Sequence, residues 1–288
     1  GSNPFIRTKE KHQKRKFLGA FFLLYRSVYR TPVQVRAFAV QILDQALFHA
    51  AAVLPGGKAG AGVGMVYIYF KAENEQQLPA SLAKLFVIEY AATLADLDSI
   101  VPANYEAIQL TKPGSSVANI DAKKYFLHNL FAAMLVPSGN DAAYVVADYC
   151  GSILSPQAKN SQERINVFME HLNNYLQNQG YENTILYDPS GYDVNALTTV
   201  SDLKSVSTHL LEKQWFRDIV SKSNYTATLP DGSTQTWRNT NTFLDQTSEY
   251  YNENVKGIKQ VPYTLAGIGA SLGLSMNFEA VTARYVDV

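Results

Sequence analysis

A chain of 288 residues, 47% hydrophobic and 17% charged, has room for one large folded domain, or one domain with a modest appendage, and excludes a disordered protein. Its one cysteine, Cys150, excludes an internal disulfide and a thiolate metal cluster. The formal net charge of zero hides an asymmetry: residues 1–36 hold nine basic side chains against one acid, and the remainder holds 16 against 24.

The basic arm comprises Arg7, Lys9, Lys11, Lys14, Arg15, Lys16, Arg26, Arg30 and Arg36, interleaved with Phe17, Leu18, Phe21, Phe22, Leu23 and Leu24. Basic and apolar residues mixed in this way suit an anionic membrane surface or a partner groove rather than nucleic acid. A basic helix packed on its own domain fits equally well. The apolar run 17–24 is too short to span a bilayer. Residues 37–54 carry Gln41, Asp44, Gln45 and His49 and read as an amphipathic helix. Gly1-Ser2 reads as the scar of a removed tag, so an upstream signal peptide or anchor is expected to have been cut away.

Residues 55–64 (PGGKAGAGVG) form a glycine-rich seam; no Gly-Lys-Ser/Thr ending follows, so it reads as a linker rather than a phosphate loop. The seam divides a basic amphipathic extension, residues 1–56, from a domain over residues 57–288. Residues 63–70 are β-rich and predict a strand. After Pro79, residues 81–95 are apolar nearly all round, which predicts a helix at the centre of a core. Further helices are expected over 121–135, opened by Asp121, over 141–149, and over 162–179 with Gly180 as its C-terminal cap. Another begins at Ser201-Asp202. Residues 224–237 predict a hairpin around Pro230-Asp231-Gly232. From about residue 255, short β-rich runs alternate with glycines. This order predicts a mixed α/β (α+β) domain whose terminal strands share a sheet.

Ser81-Leu82-Ala83-Lys84 places a serine and a lysine at i and i+3, on one helix face, within reach of one another. A lysine in an apolar pocket loses its proton readily and can then take one from a serine hydroxyl. The helix N-terminus also favours negative charge developing nearby. The pattern alone is not specific: Ser201-Asp202-Leu203-Lys204 matches it, and there Ser201 reads as an N-cap. Ser138-Gly139-Asn140 presents a hydroxyl and an amide in a tight turn between two helices, and as a lone pattern it reads equally as a capping turn. The five histidines fall in no metal-binding spacing, and no metal or cofactor is expected. Gly269-Ala270-Ser271-Leu272-Gly273 fits a nucleophile elbow, but no histidine follows it, so small residues in a packed strand are the better reading.

Taken in order, PASLAK, GSSV (residues 114–117) and MLVPSGNDAA resemble the low-molecular-mass penicillin-binding D-alanyl-D-alanine carboxypeptidases. ENTILYDPSGYD (residues 182–193), LTTVSDL and WRNTNTFL (residues 237–244) sit where that family has its own segments. The resemblance runs from about residue 60 to the C-terminus. It implies a β-lactamase/transpeptidase-like sandwich, a largely antiparallel sheet flanked by helices. It also implies Ser81 as acylated nucleophile, Lys84 as general base, Ser138 as proton relay and Asn140 as partner of the substrate amide or of Lys84. Peptidoglycan stem peptides would be the substrate and β-lactams the inhibitors, in the bacterial cell envelope outside the cytoplasmic membrane. About twenty residues follow Gly267, room for the final strands without a further β-domain.

The third motif departs from the family. Where Lys-Thr-Gly is expected on a strand, this chain has Lys259-Gln260-Val261, then Pro262. Lys259 keeps a charge for a substrate carboxylate. Gln260 lacks the threonine hydroxyl, Val261 adds bulk where backbone should meet ligand, and Pro262 has no N–H to offer an oxyanion. One lost oxyanion donor costs about 10²–10³ in rate. An impaired or repurposed site that binds cell-wall peptides or an envelope partner, and a rearranged site with another donor, both follow. A β-lactamase ranks lower, since no glutamate loop for deacylation stands between Asn140 and Lys259.

Overall fold

The computed structural model describes residues 74, 76–249, 251, 253, 256–259, 262–264 and 277–279. The expected extension over 1–56, the seam at 55–64, the strand at 63–70, Gln260, Val261, Ala266-Gly267 and the 269–273 run lie outside the described residues.

A single-turn 3-10 helix, Ala80–Leu82, leads into α1, Ala83–Leu94. Leu85, Phe86, Val87 and Ile88 are four consecutive residues buried to within 1%. A helix with an apolar circumference finds its stability only when enclosed, and each such side chain contributes about 1.5–3 kcal/mol. The enclosure comes from α3 (Leu127–Leu135), α4 (Asn140–Leu154), α5 (Ser161–Asn178) and α6 (Val200–Leu211). Aromatic edges fix the packing: Phe86 meets Tyr181 edge-on at 5.3 Å, and Tyr90 lies against Tyr175 at 4.9 Å and Phe168 at 5.4 Å. In the middle of α1, Tyr181 Oη donates to both Glu89 carboxylate oxygens (3.0 and 2.9 Å), with His209 Nδ1 3.1 Å from Oε1. Burial raises the Glu89 pKa, and the Tyr181 hydrogen bond opposes that rise.

The helix expected from Asp121 starts later. Lys124–Phe126 form strand β2, paired antiparallel with β1 (Ile100–Pro102), and the short α2 (Tyr105–Gln109) follows β1. Tyr125 is fully buried in that ladder, so strand pairing outcompetes the helical periodicity that continues through it. Two other boundaries also move. Helix α4 runs past Tyr149 to Leu154 because Gly151 sits on α5: a Cβ there would stand 2.0 Å from the Arg164 carbonyl oxygen. Helix α6 starts at Val200, and its cap is Thr199, whose Oγ1 accepts from Asp202 N at 3.1 Å, rather than Ser201. Helix α5 spans Ser161–Asn178, with Gly180 just beyond it at φ +84°.

The remainder is α7 (Gln214–Val220) and the expected hairpin, β3 (Asn224–Thr228) with β4 (Thr234–Arg238). Strand β5 (Pro262–Thr264) pairs antiparallel with β6 (Asn277–Glu279). All three strand pairs among the described residues are antiparallel, and helices make up most of the rest. No described helix is long and apolar enough to cross a membrane. Among the described residues no group of three or more His, Cys, Asp or Glu side chains gathers as a metal site.

Candidate active site

Ser81 lies in the turn that opens α1 and Lys84 one turn further in, so the i, i+3 spacing brings the amine under the hydroxyl: Lys84 Nζ is 3.1 Å from Ser81 Oγ. The same Nζ donates to Asn140 Oδ1 at 2.7 Å and to the Ser190 carbonyl oxygen at 2.9 Å. Lys84 has no solvent exposure. Desolvation lowers its pKa to about 7; the negative charges of Asp188 and Asp141 oppose the fall.

Asn140 reaches Lys84 because the turn between α3 and α4 is locked from several sides. Ser138, buried, takes the left-handed conformation at φ +66°. Gly139 packs so closely that a Cβ would lie 2.6 Å from Ala118 Cβ and 2.8 Å from the Ala133 carbonyl oxygen. Asn140 N donates to Ser116 O at 2.9 Å, which gives the GSSV segment its place at the head of α4. The Asp141 carboxylate accepts from the backbone N–H groups of Ala118 (2.8 Å), Ile120 (2.9 Å) and Ala142 (2.9 Å). From the other side, Trp237 Nε1 donates to Ala118 O at 2.8 Å, and Thr240 N donates to Val136 O at 3.0 Å. WRNTNTFL is therefore a clamp on the loops that carry Ser116 and Ser138.

Two residues without glycine's freedom take positive φ beside these groups: Ala80 at +46°, directly before Ser81, and Ser138. Such conformations cost about 1–3 kcal/mol each and persist where the surroundings over-determine them, most often at functional sites.

Lys259 is buried to 1%, with Nζ 3.4 Å from the Leu135 carbonyl oxygen at the C-terminal end of α3. Burial lowers its pKa well below the ordinary lysine value, and the charge of Lys84 lowers it further. A helix C-terminus is a favourable place for a cation, so the amine has some compensation. Pro262 is the first residue of β5. Ser81, Lys84 and Asn140 are thus joined by hydrogen bonds, Ser138 stands two residues before Asn140 in the same turn, and Lys259 lies within electrostatic reach of Lys84. Cys150 is buried on α4, and burial pushes its thiol up to about 12, far from a nucleophile's range.

Sequence patterns did not reveal the Ser190 carbonyl, because a backbone oxygen has no letter of its own. The available signal was the DPSG turn in residues 188–191. Gly191 has φ +77°, and a Cβ on it would stand 1.9 Å from the Ala80 carbonyl oxygen and 2.8 Å from Ala83 Cβ. Only glycine lets this turn press against the start of α1.

Comparison with known proteins gives the family and the fold. A family model described as D-alanyl-D-alanine carboxypeptidase matches residues 63–267. A D-alanyl-D-alanine carboxypeptidase of Streptomyces sp. (strain K15) is 27% identical over 193 residues, 63% of this chain and 64% of that protein. This chain therefore spans under two thirds of the length of that curated relative. The crystal structure of the Streptomyces K15 DD-transpeptidase superposes with a TM-score of 0.58 at 23% identity, covering 68% of this chain and 75% of that one. Penicillin binding protein 6B from Escherichia coli gives a TM-score of 0.54 at 24% identity, covering 69% and 60%. These two likenesses establish the penicillin-binding/transpeptidase fold. With the family model covering most of the chain, the protein belongs to the D-alanyl-D-alanine carboxypeptidase family of serine peptidases.

Proposed function

We propose that this chain is a serine D-Ala-D-Ala carboxypeptidase that acts on peptidoglycan stem peptides through an acyl-enzyme on Ser81, outside the cytoplasmic membrane. The observation that carries the reading is the set of three contacts on Lys84 Nζ. A neutral amine has two N–H donors and one lone pair. Asn140 Oδ1 and the Ser190 carbonyl can only accept, so they take the two N–H groups. The third neighbour, the Ser81 hydroxyl at 3.1 Å, can donate as well as accept, so in the neutral amine the lone pair is left for it. With a pKa of about 7, Lys84 is neutral often enough to act as that base.

In this mechanism Lys84 takes the Ser81 proton as Oγ attacks the carbonyl between the two D-alanines. The Ser138 hydroxyl passes a proton to the leaving amine, and the C–N bond breaks to release D-alanine. Water then cleaves the ester. Asn140, its Oδ1 held by Lys84, keeps amide N–H groups for the substrate backbone. Lys259 receives the substrate carboxylate, whose negative charge draws a proton onto the buried amine. Penicillins would acylate the same serine. The basic arm, residues 1–36, would rest on an anionic lipid surface.

A second reading, a cell-wall peptide binder with impaired catalysis, is favoured by one observation. Pro262, at the family position of an oxyanion donor, opens β5 without an N–H. Release of D-alanine from a diacylated peptide ending in D-Ala-D-Ala separates the two. The enzyme reading predicts release whose rate climbs with pH through about 7, as Lys84 loses its proton, and then levels. Saturable binding of that peptide with no release at any pH would leave only the binder.

A further inference from the structure

The loop between Leu186 and Leu197 is pinned at its base and folded at its tip around one carboxylate. At the base, Ile185 and Leu197 exchange backbone hydrogen bonds (2.9 and 3.0 Å), and Leu186 exchanges two with the Asn173 side chain (2.8 and 2.9 Å). Thr184 Oγ1 donates to Asp202 Oδ2 at 2.7 Å. At the tip, Asp188 Oδ1 accepts from Ser190 N at 2.8 Å and from Ser190 Oγ, and Oδ2 accepts from Asp193 N at 2.6 Å. Tyr187 and Tyr192 point to solvent, while Pro189, Ser190 and Gly191 are buried between them. The folded tip delivers a single group to the site, the Ser190 carbonyl oxygen on Lys84 Nζ.

We propose that Asp188 is a positioning residue: its carboxylate fixes the 188–193 turn so that the Ser190 carbonyl holds the Lys84 amine with its lone pair toward Ser81. The inference rests on the reading of Lys84 as the base of an acyl-enzyme. A lysine side chain has four rotatable bonds, and one acceptor on its amine leaves the lone pair free to swing. Asn140 Oδ1 supplies one constraint and Ser190 O the second. Ser190 is held by its N–H and hydroxyl, both bound to Asp188, and the peptide that carries its carbonyl is held by Gly191 pressed on Ala80. Charge-assisted hydrogen bonds of this kind are the strong ones. The same carboxylate acts on Lys84 through its field. The charged and titratable groups around the amine are Asp188 in the loop, Asp141 on α4 and Lys259 before β5, with Tyr144 of α4 beside Ser190.

The test is the acylation rate by a penicillin, followed by intact mass across the pH range of the Lys84 titration, for the parent, Asp188→Ala and Asp188→Asn. Thermal unfolding of each accompanies it. Asp188→Ala removes both acceptor oxygens and the three hydrogen bonds they take, and its alkaline plateau is expected to fall about 10²-fold, the scale for a reacting group displaced by an ångström. Asp188→Asn keeps an acceptor for Ser190 and loses the charge. Its plateau is expected to stay within about tenfold of the parent, and its rising limb to move to lower pH, because a charge that favoured protonated Lys84 is gone. A residue that only stabilises the loop would lower the melting temperature and leave the plateau of both variants at the parent's level. That result in an acylated parent overturns this inference alone. A folded parent that is never acylated overturns the inference together with the acyl-enzyme reading beneath it.

Discussion

Lys84→Met is expected to leave a folded protein that a penicillin acylates about 10²- to 10⁴-fold more slowly than the parent, the range that a general base contributes. Methionine has nearly the length and shape of the lysine stem and is at home where nothing is exposed. Two acceptors, Asn140 Oδ1 and Ser190 O, lose their donor, at about 1–3 kcal/mol each. Against that, an amine no longer has to be buried, and part of the loss is recovered. Urea unfolding should therefore remain cooperative with a midpoint near the parent's, while the acylation rate collapses. A Lys84→Met protein acylated at the parental rate would remove Lys84 from the mechanism.

Gly191→Ala is the second large effect, and it has a built-in control. Gly191 and Gly180 both take positive φ, +77° and +84°. At Gly180 a Cβ meets nothing within 4 Å, whereas at Gly191 it would stand 1.9 Å from Ala80 O. Gly180→Ala should cost only the left-handed backbone term, about 1–2 kcal/mol, with acylation intact. Gly191→Ala must also push the Ser190 carbonyl away from Lys84 or move Ala80, and Ser81 with it. Its acylation is expected to fall about 10²-fold or more. Measuring melting temperature and acylation rate for both variants separates backbone strain from displacement of the site. Equal acylation in the two would contradict the role assigned to the 188–191 turn.

The residues at the centre of the site were legible because their relationship is local or modular. Ser81 and Lys84 meet through helix periodicity alone, and Asn140 belongs to a turn between two recognisable helices. The parts that escaped are those whose identity is fixed by packing. Tyr125 lies in an apolar pattern that fits a helix, and only the presence of β1 makes it a strand residue. The helix expected over 141–149 continues through Gly151 to Leu154, and α5 crosses at Gly151 without space for a side chain. Ser201 reads as the cap of α6, but Thr199 takes that place: its Oγ1 accepts from Asp202 N while the Asp202 carboxylate is held by Asn183 N and Thr184 Oγ1. Asp188 looks like an ordinary turn residue. Its partners within the loop are local, but its consequence, a carbonyl on Lys84 more than a hundred positions earlier in the chain, is not.

Intact mass after incubation with a penicillin, beside Ser81→Ala, decides whether Ser81 is the acylated nucleophile. One adduct per chain is expected in the parent, equal to the mass of the antibiotic, and none in Ser81→Ala. A folded parent with no adduct, or an adduct that survives in Ser81→Ala, would contradict it.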